Sequence, residues 1–350
     1  MSTMIWDHIK KYYSRPDYAA LAAQKERWQD TRPLAGAKIL DGTPVFRNTL
    51  IKYAVLLDAG ADLTISVGKD IPCDASVVKA VSEFGIRVAD DKILKENFDA
   101  VADCAGRHIQ VKSRCGYAEL TRSGLEYYKN SDAPVFSVDS GILKRFETTL
   151  GTGESFVRAM NYLNYTDFDG KNILIFGGGK VGCGTAYFSA KAGARVFIAD
   201  MAKNPPPPQV GLIDAGDHEA VFRAIKDAWC VVSATGAAGV LADFVPALKS
   251  SGALIANMGV EDEFGETLPA SKVLNRKLPL NFILDEPTRT SYIDPSMALS
   301  NEALKMLLDG KISPGINLPP EALEMQIISD IRNAGTMNEE IELILNEVKK

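Results

Sequence analysis

The stretch GKNILIFGGGKVGCGTAYFSAKAGARVFIAD holds the residues with the clearest chemical purpose. An apolar run leads into G-x-G-x-x-G at Gly177, Gly179 and Gly182, with Lys180 and Val181 between the last two glycines, and a second apolar run closes on Asp200. That order suits a dinucleotide. The first glycine permits a tight turn, the second lets the backbone approach a pyrophosphate, and the third allows close helix–strand packing. The N-terminus of the following helix offers N–H groups to phosphate oxygens. Asp200 falls where a carboxylate accepts both ribose hydroxyls and repels a 2′-phosphate, so NAD is expected over NADP, with Lys203 the one nearby residue that favours the phosphate. A glycine fingerprint alone is weak evidence; strand, turn, helix, strand and acid in sequence make it specific.

Two later stretches fit strand ends of the same sheet: Ser233-Ala-Thr-Gly236 after CVV, and Asn257-Met-Gly259 after ALIA. Ligands of open α/β sheets lie beyond the carboxyl ends of the strands, so Thr235, Gly236 and Asn257 are expected cofactor contacts. Thr235 serves equally well as a helix cap.

The elements that position these residues follow α/β grammar. Short β-branched runs (TISV, IRVA, DAVAD, PVFSVD, NILIF, RVFIAD, CVVS, ALIAN) alternate with longer helical patterns that end at glycine. A parallel sheet is expected. Four consecutive prolines in MAKNPPPPQ fit neither a helix nor a central strand and read as a stiff surface spacer. After LNFILDEPTR the pattern is helical through SMALSNEALKMLLDG and in the charged tail.

The chain of 350 residues is long enough for two domains. Thirty-nine Lys and Arg against 45 Asp and Glu give a net charge of -6, which argues against a nucleic-acid or anionic-membrane surface. No apolar stretch approaches a membrane span, and the N-terminus lacks a signal-peptide core, so a cytoplasmic protein is expected. The five cysteines are scattered without a C-x-x-C pair, which suggests reduced thiols and no metal site.

In order along the chain, PVFSVDSGILKRFETTLGTGESFVRAMNYLN, the glycine turn with Gly184, VVSATG, ALIANMG and DPSMALSNEAL together resemble the S-adenosylhomocysteine hydrolase family. The resemblance implies a central NAD-binding Rossmann domain, residues 151–291, and a second α/β substrate domain from residues 1–150 completed by 292–350, in a homo-oligomer. It also implies Asp103 and Thr121 as substrate-side contacts, with Ser123 and Asp139 beside them. Yet the family's catalytic positions are largely replaced. Its histidine and acid near the first substrate-domain helix read Pro44 and Asn48; its catalytic-loop Lys, Asp and Asn read Leu143, Glu147 and Thr148; its later histidines read Val260 and Asp294. The three histidines are His8, His108 and His218.

The expectation is therefore an NAD-dependent enzyme of that superfamily acting on a polar small molecule other than S-adenosylhomocysteine. Asp103, Lys144, Glu147 and His108 would move protons, since carboxylates, a buried lysine or a histidine can act as bases. An exposed loop histidine without a role is the plainer reading of His108. Arg289, in the polar segment DEPTRTSYIDPS with Glu286 and Tyr292, suits a substrate carboxylate. Three alternatives stay open: S-adenosylhomocysteine hydrolysis itself, an amino-acid or imine dehydrogenase using free NADH, and a non-catalytic NAD-binding regulator.

Overall fold

The computed structural model describes residues 2–68, 71–89, 93, 95–202 and 204–348. The chain divides into two compact units: unit 1, residues 1–146 with 290–350, and unit 2, residues 147–289.

Unit 1 opens with helices α1 (Ser2–Ile9) and α2 (Ala19–Trp28). It continues through β1 (Lys38–Asp41), α3 (Thr49–Asp58), β2 (Asp62–Ser66), α4 (Ala75–Glu83) and β3 (Arg87–Ala89). Short strands β4 (Asn97–Phe98) and β6 (Lys112–Ser113) pair with each other on either side of β5 (Ala100–Asp103) in the chain. Then come β7 (Tyr117–Glu119), α5 (Arg122–Tyr128) and β8 (Pro134–Ser137). The C-terminal part returns α10 (Thr290–Leu308), β14 (Gly315–Asn317), α11 (Glu321–Asn333) and α12 (Asn338–Val348). Seven strands form one parallel sheet in the order β14-β8-β7-β5-β1-β2-β3. The chain leaves β1 in one direction through β2 and β3, then resumes on β1's other side at β5. That reversal makes the β1/β5 boundary a topological switch point, where a crevice opens outside the strand ends.

Unit 2 runs α6 (Thr152–Tyr162), β9 (Asn172–Phe176), α7 (Lys180–Lys191), β10 (Arg195–Asp200), β11 (Gly211–Asp214), α8 (His218–Asp227), β12 (Cys230–Ser233), α9 (Val245–Ser250) and β13 (Leu254–Asn257). Its parallel sheet has the order β11-β10-β9-β12-β13, with the switch point between β9 and β12. The strands read as unbroken apolar runs because both faces are covered. Ile173, Ile175, Val232 and Ala256 point to one face, where Phe156 and Met160 of α6 meet them; Leu174, Phe176, Val231 and Ile255 point to the other, against Val221 and Ile225 of α8. A Cβ on Gly184 would lie 1.7 Å from Thr149 O, and one on Gly153 would lie 2.2 Å from the Gly184 carbonyl carbon. These two glycines let α6 and α7 pack backbone against backbone.

The α/β fold with parallel sheets is as expected. The structure adds three local details. The polar segment DEPTRTSYIDPS is no loop throughout: α10 begins at Thr290 and carries Pro295 inside it. LNFIL forms a 3-10 turn at Leu280–Ile283. The strands β11 and β14 were not legible, since both are short, partly exposed edges holding glycine.

Candidate functional site

The glycine turn leaves β9 at the switch point of unit 2. Gly177 has φ +97°, a conformation L side chains rarely adopt, and a Cβ there would lie 2.5 Å from Ala234 O. A Cβ on Gly182 would lie 1.8 Å from Gly177 O, so this glycine lets α7 close over the turn. Around a Cβ on Gly179 there is open space. Gly179 is the N-cap of α7 and brings no capping side chain, so the first-turn N–H groups of exposed Lys180 and half-buried Val181 face outward for an anion. At the end of β10, Asp200 Oδ2 accepts from Gly178 N–H and Oδ1 accepts from Ala202 N–H at 2.7 Å. These bonds aim the carboxylate across the turn. A hollow beside it is lined by Gly178, Cys183, Asp200, Asn204, Pro205 and Pro206. The proline run is thus more than a spacer: it walls the Asp200 end of the turn. Lys203 lies outside the described residues.

A cradle that any Cβ would fill, open space at the second glycine, uncapped helix N–H groups and an acid at the next strand end fit a dinucleotide such as NAD. The other expected contacts divide. Glu263, buried, clasps the 235–236 turn: Thr235 N–H (2.9 Å), Thr235 Oγ1 (2.8 Å) and Gly236 N–H (2.7 Å) all donate to its carboxylate. Asn257 is buried, and its amide is fully used. Oδ1 accepts from Ser233 Oγ and Gly259 N–H, and Nδ2 donates to the carbonyls of Glu261 and Lys277. An amide with two acceptor and two donor positions filled has none left for a cofactor. The expectation for Asn257 is corrected: it ties the ends of β12 and β13 together.

Unit 1 presents a different edge. Asp41, Ser66, Asp103, Glu119 and Ser137, the last residues of β1, β2, β5, β7 and β8, are all buried. Asp103 is held by four donors. It accepts from Cys104 N–H (2.8 Å), His108 N–H (3.0 Å), His108 Nδ1 (2.7 Å) and the Tyr128 hydroxyl (2.6 Å). His108, 2% exposed, is no surface loop residue, and its Nε2 lies 2.9 Å from Ser66 Oγ. Its ring occupies the space of a Gly42 side chain: a Cβ there would lie 2.1 Å from His108 Cε1. The Tyr128 phenol is driven far above its ordinary range, first by burial and then by Asp103, so it remains a donor.

Beside this group, Asp41 Oδ2 accepts from Lys52 Nζ at 2.6 Å, both side chains buried. Glu119 accepts from the N–H groups of Ala105, Gly106 and Thr121 and from Thr121 Oγ1. Burial, then the nearby Asp103 carboxylate, raises its pKa, and those hydrogen bonds pull it back in part. Sequence reading missed Asp41, Ser66 and Glu119. The available signal was a polar residue closing each apolar run: KILD, TIS, YAE.

Of the remaining expected site residues, Thr121 adjoins this group through its bonds to Glu119. Thr121 caps α5, accepting from Gly124 N–H at 3.1 Å, and Ser123 is exposed within that helix. Lys144 is buried, and Glu147 lies in the π-helical turn Phe146–Gly151, so the expected catalytic loop is helical. Arg289 is paired with Glu154 at 2.9 Å, which accounts for its charge without a substrate. Asp294, standing where the family has a histidine, is buried and accepts from Ala20 and Leu21 N–H at the start of α2. Among the described residues no cluster of His, Cys, Asp and Glu could hold a metal ion, and no helix is long and apolar enough to cross a membrane.

Together, the fold and the glycine turn define an α/β protein with an NAD(P)-binding Rossmann unit. A family model described as "Putative NAD(P)-binding" matches residues 165–270. An adenosylhomocysteinase from Corynebacterium diphtheriae is 28% identical over 232 residues, covering 63% of this chain and 47% of that protein. One from Thermotoga maritima is 25% identical over 264 residues, covering 67% and 65%. An S-inosyl-L-homocysteine hydrolase from Methanococcus maripaludis is 24% identical over 285 residues, covering 72% and 67%. The chain spans less than two thirds of the length of the first two relatives. A dipicolinate synthase chain from Bacillus halodurans shares the fold, with a TM-score of 0.51 at 13% identity over 78% of this chain and 98% of that one. The chain is thus similar, at low identity, to adenosylhomocysteinases, and its unit 2 carries an NAD(P)-binding match.

Proposed function

We propose that this protein is an NAD-dependent enzyme that carries out redox chemistry on a polar small molecule other than S-adenosylhomocysteine. The observation that carries the reading is the row of strand-end groups in unit 1. Asp103, His108 and Ser66 are hydrogen-bonded in line at the switch point of the sheet, with Glu119 and the Asp41–Lys52 pair on neighbouring strands. Proton-transfer groups gather where ligands of such sheets bind. Bound NAD supplies a hydride acceptor. Gly177, Gly179, Lys180, Val181, Gly182 and Asp200 are the residues proposed to hold it, the glycines by close approach and Asp200 by accepting ribose hydroxyls. In unit 1, Asp103 and His108 are the groups proposed to hold and move a substrate proton.

The relatives' names favour one second reading, hydrolysis of an S-nucleosyl-homocysteine. The replacement of the family's histidines by Pro44, Val260 and Asp294 weighs against it. A homo-oligomer in the cytoplasm goes with the first reading, and the net charge of -6 favours one without nucleic-acid or anionic-membrane partners. Denaturing the purified protein identifies any retained nucleotide. Native protein is then offered S-adenosylhomocysteine, adenosine, and hydroxy or amino acids while the NADH absorbance is followed. The proposal expects a rise with a polar substrate other than S-adenosylhomocysteine. Turnover of S-adenosylhomocysteine moves the protein to the second reading, and NAD binding with no redox response across the set overturns the enzyme reading.

A further inference from the structure

Ser66, His108 and Asp103 form a hydrogen-bonded line across the carboxyl ends of β2 and β5, 2.9 Å from Ser66 Oγ to Nε2 and 2.7 Å from Nδ1 to the carboxylate. Among the described residues, the hydrogen bonds to that carboxylate come from two backbone N–H groups, the Tyr128 phenol and the imidazole. The imidazole proton therefore sits on Nδ1. In the neutral ring Nε2 then carries the lone pair and is placed to accept from Ser66 Oγ–H. The ring has little freedom to turn elsewhere, since it lies on the bare backbone of Gly42 and the backbone N–H of His108 is also bound to Asp103. With both ring nitrogens engaged, His108 reaches a ligand only through the serine.

We propose that Ser66 Oγ is the activated atom of the unit 1 site, with His108 as its base and Asp103 orienting that base. The inference deepens the function proposed above and names a residue that neither the sequence motifs nor the family resemblance singled out. In the natural step Ser66 Oγ takes a proton from a polar substrate as it yields its own to His108 Nε2, and the imidazolium is held by Asp103. No co-reactant is needed. The same arrangement of nucleophile, base and orienting acid makes a serine reactive toward electrophiles.

The test uses a small alkyl fluorophosphonate on the full chain, read by peptide mass spectrometry. The Oγ–P bond forms, the P–F bond breaks, fluoride leaves, and the serine proton passes to Nε2. Ser66 is expected to be labelled stoichiometrically, Ser66→Ala to abolish the label, and His108→Gln to slow it on the order of 100-fold, the usual contribution of a general base. An unlabelled Ser66, or equal labelling in His108→Gln, overturns the proposal. If His108→Gln does not fold, histidine 15N spectra of the unaltered protein decide instead: a protonated Nδ1 with a bare Nε2 is expected, and a neutral ring protonated on Nε2 overturns it. Neither measurement needs NAD or a substrate, so failure here is distinct from failure of the NADH test.

Discussion

The two sheets end differently at their carboxyl edges. In unit 1 the edge is made of side chains: Asp41, Ser66, Asp103, Glu119 and Ser137, buried and wired to Lys52, His108, Tyr128 and Thr121. In unit 2 it is made mostly of backbone, with glycine at 177, 179, 182 and 236, and with Asp200 and Glu263 gathering the turns by their N–H groups. A backbone edge lets a ligand come close and binds it through groups every residue has. A side-chain edge sets protonation states. The first suits a cofactor used by many enzymes, the second one particular reaction.

The sharpest way to break the contrast is to put a side chain into the backbone edge. Gly182→Ala places a methyl 1.8 Å from Gly177 O. NAD binding is expected to fall at least ~100-fold, in line with the ~3 kcal/mol or more that severe overpacking costs. Isothermal titration with NAD checks it, and unchanged affinity would remove Gly182 from the cradle. In unit 1 the comparable stroke is Lys52→Met, which leaves Asp41 buried without its partner. Loss of one member of a buried pair costs about 3–5 kcal/mol, whereas removing both is often near neutral. Urea unfolding should therefore show Lys52→Met strongly destabilised and Asp41→Leu/Lys52→Met largely restored. A double variant as weak as the single one would mean that the pair does more than balance its own charge.

This contrast also explains what was legible in the sequence. The unit 2 edge is local: turn, helix and acid lie within Gly177–Asp200, and each glycine has a steric reason that one stretch of chain displays. The unit 1 edge is assembled from β1, β2, β5 and β7, strands separated in the chain by α3, by α4 and β3, or by the turns around β6, and its meaning lies in which strand ends become neighbours. His108 looked like a surface residue because its loop is polar; only the sheet order brings Ser66 and Asp103 to its two nitrogens. Asn257 misled in the opposite direction. Its position at a strand end was read correctly, but nothing local reveals that Ser233, Gly259, Glu261 and Lys277 consume its amide.

A smaller effect tests the claim that unit 1 is the part built from costly buried acids. Burial holds Asp294 up to about 7, although bonds from Ala20 and Leu21 N–H oppose the shift. The folded state thus binds this proton more tightly than the unfolded chain does. Its contribution is greatest below the ordinary carboxylate range and is lost as pH rises toward about 7. A tenfold difference in proton affinity between the two states corresponds to about 1.4 kcal/mol, so the full effect is of the order of a few kcal/mol. Asp294→Asn should be less stable than the unaltered protein near pH 4, where it only loses an acceptor. It should gain relative to it between pH 4 and 8. Hydrogen exchange of α2 and α10 in the full chain, followed across that range, should show the variant's protection rising relative to the parent; parallel curves would mean that Asp294 does not titrate there.

The smallest change separates support from substrate contact at Thr121, where sequence resemblance and structure point different ways. The resemblance makes this residue a ligand contact. In the fold its Oγ1 caps α5 through Gly124 N–H, accepts from Ala105 N–H at 3.0 Å and donates to Glu119. A hydroxyl with those three partners has spent its one proton and both lone pairs. Thr121→Ala should cost about 1 kcal/mol of stability, the usual price of a lost N-cap. Thr121→Ser should recover it. Once a substrate is known, kcat and KM at a temperature where both variants are folded should stay within about twofold of the parent, well short of the tenfold that 1.4 kcal/mol of lost binding would give. A tenfold rise in KM in the alanine variant, absent in the serine one, would instead make Thr121 a contact, and the side-chain edge of unit 1 would then meet the ligand just beyond β7.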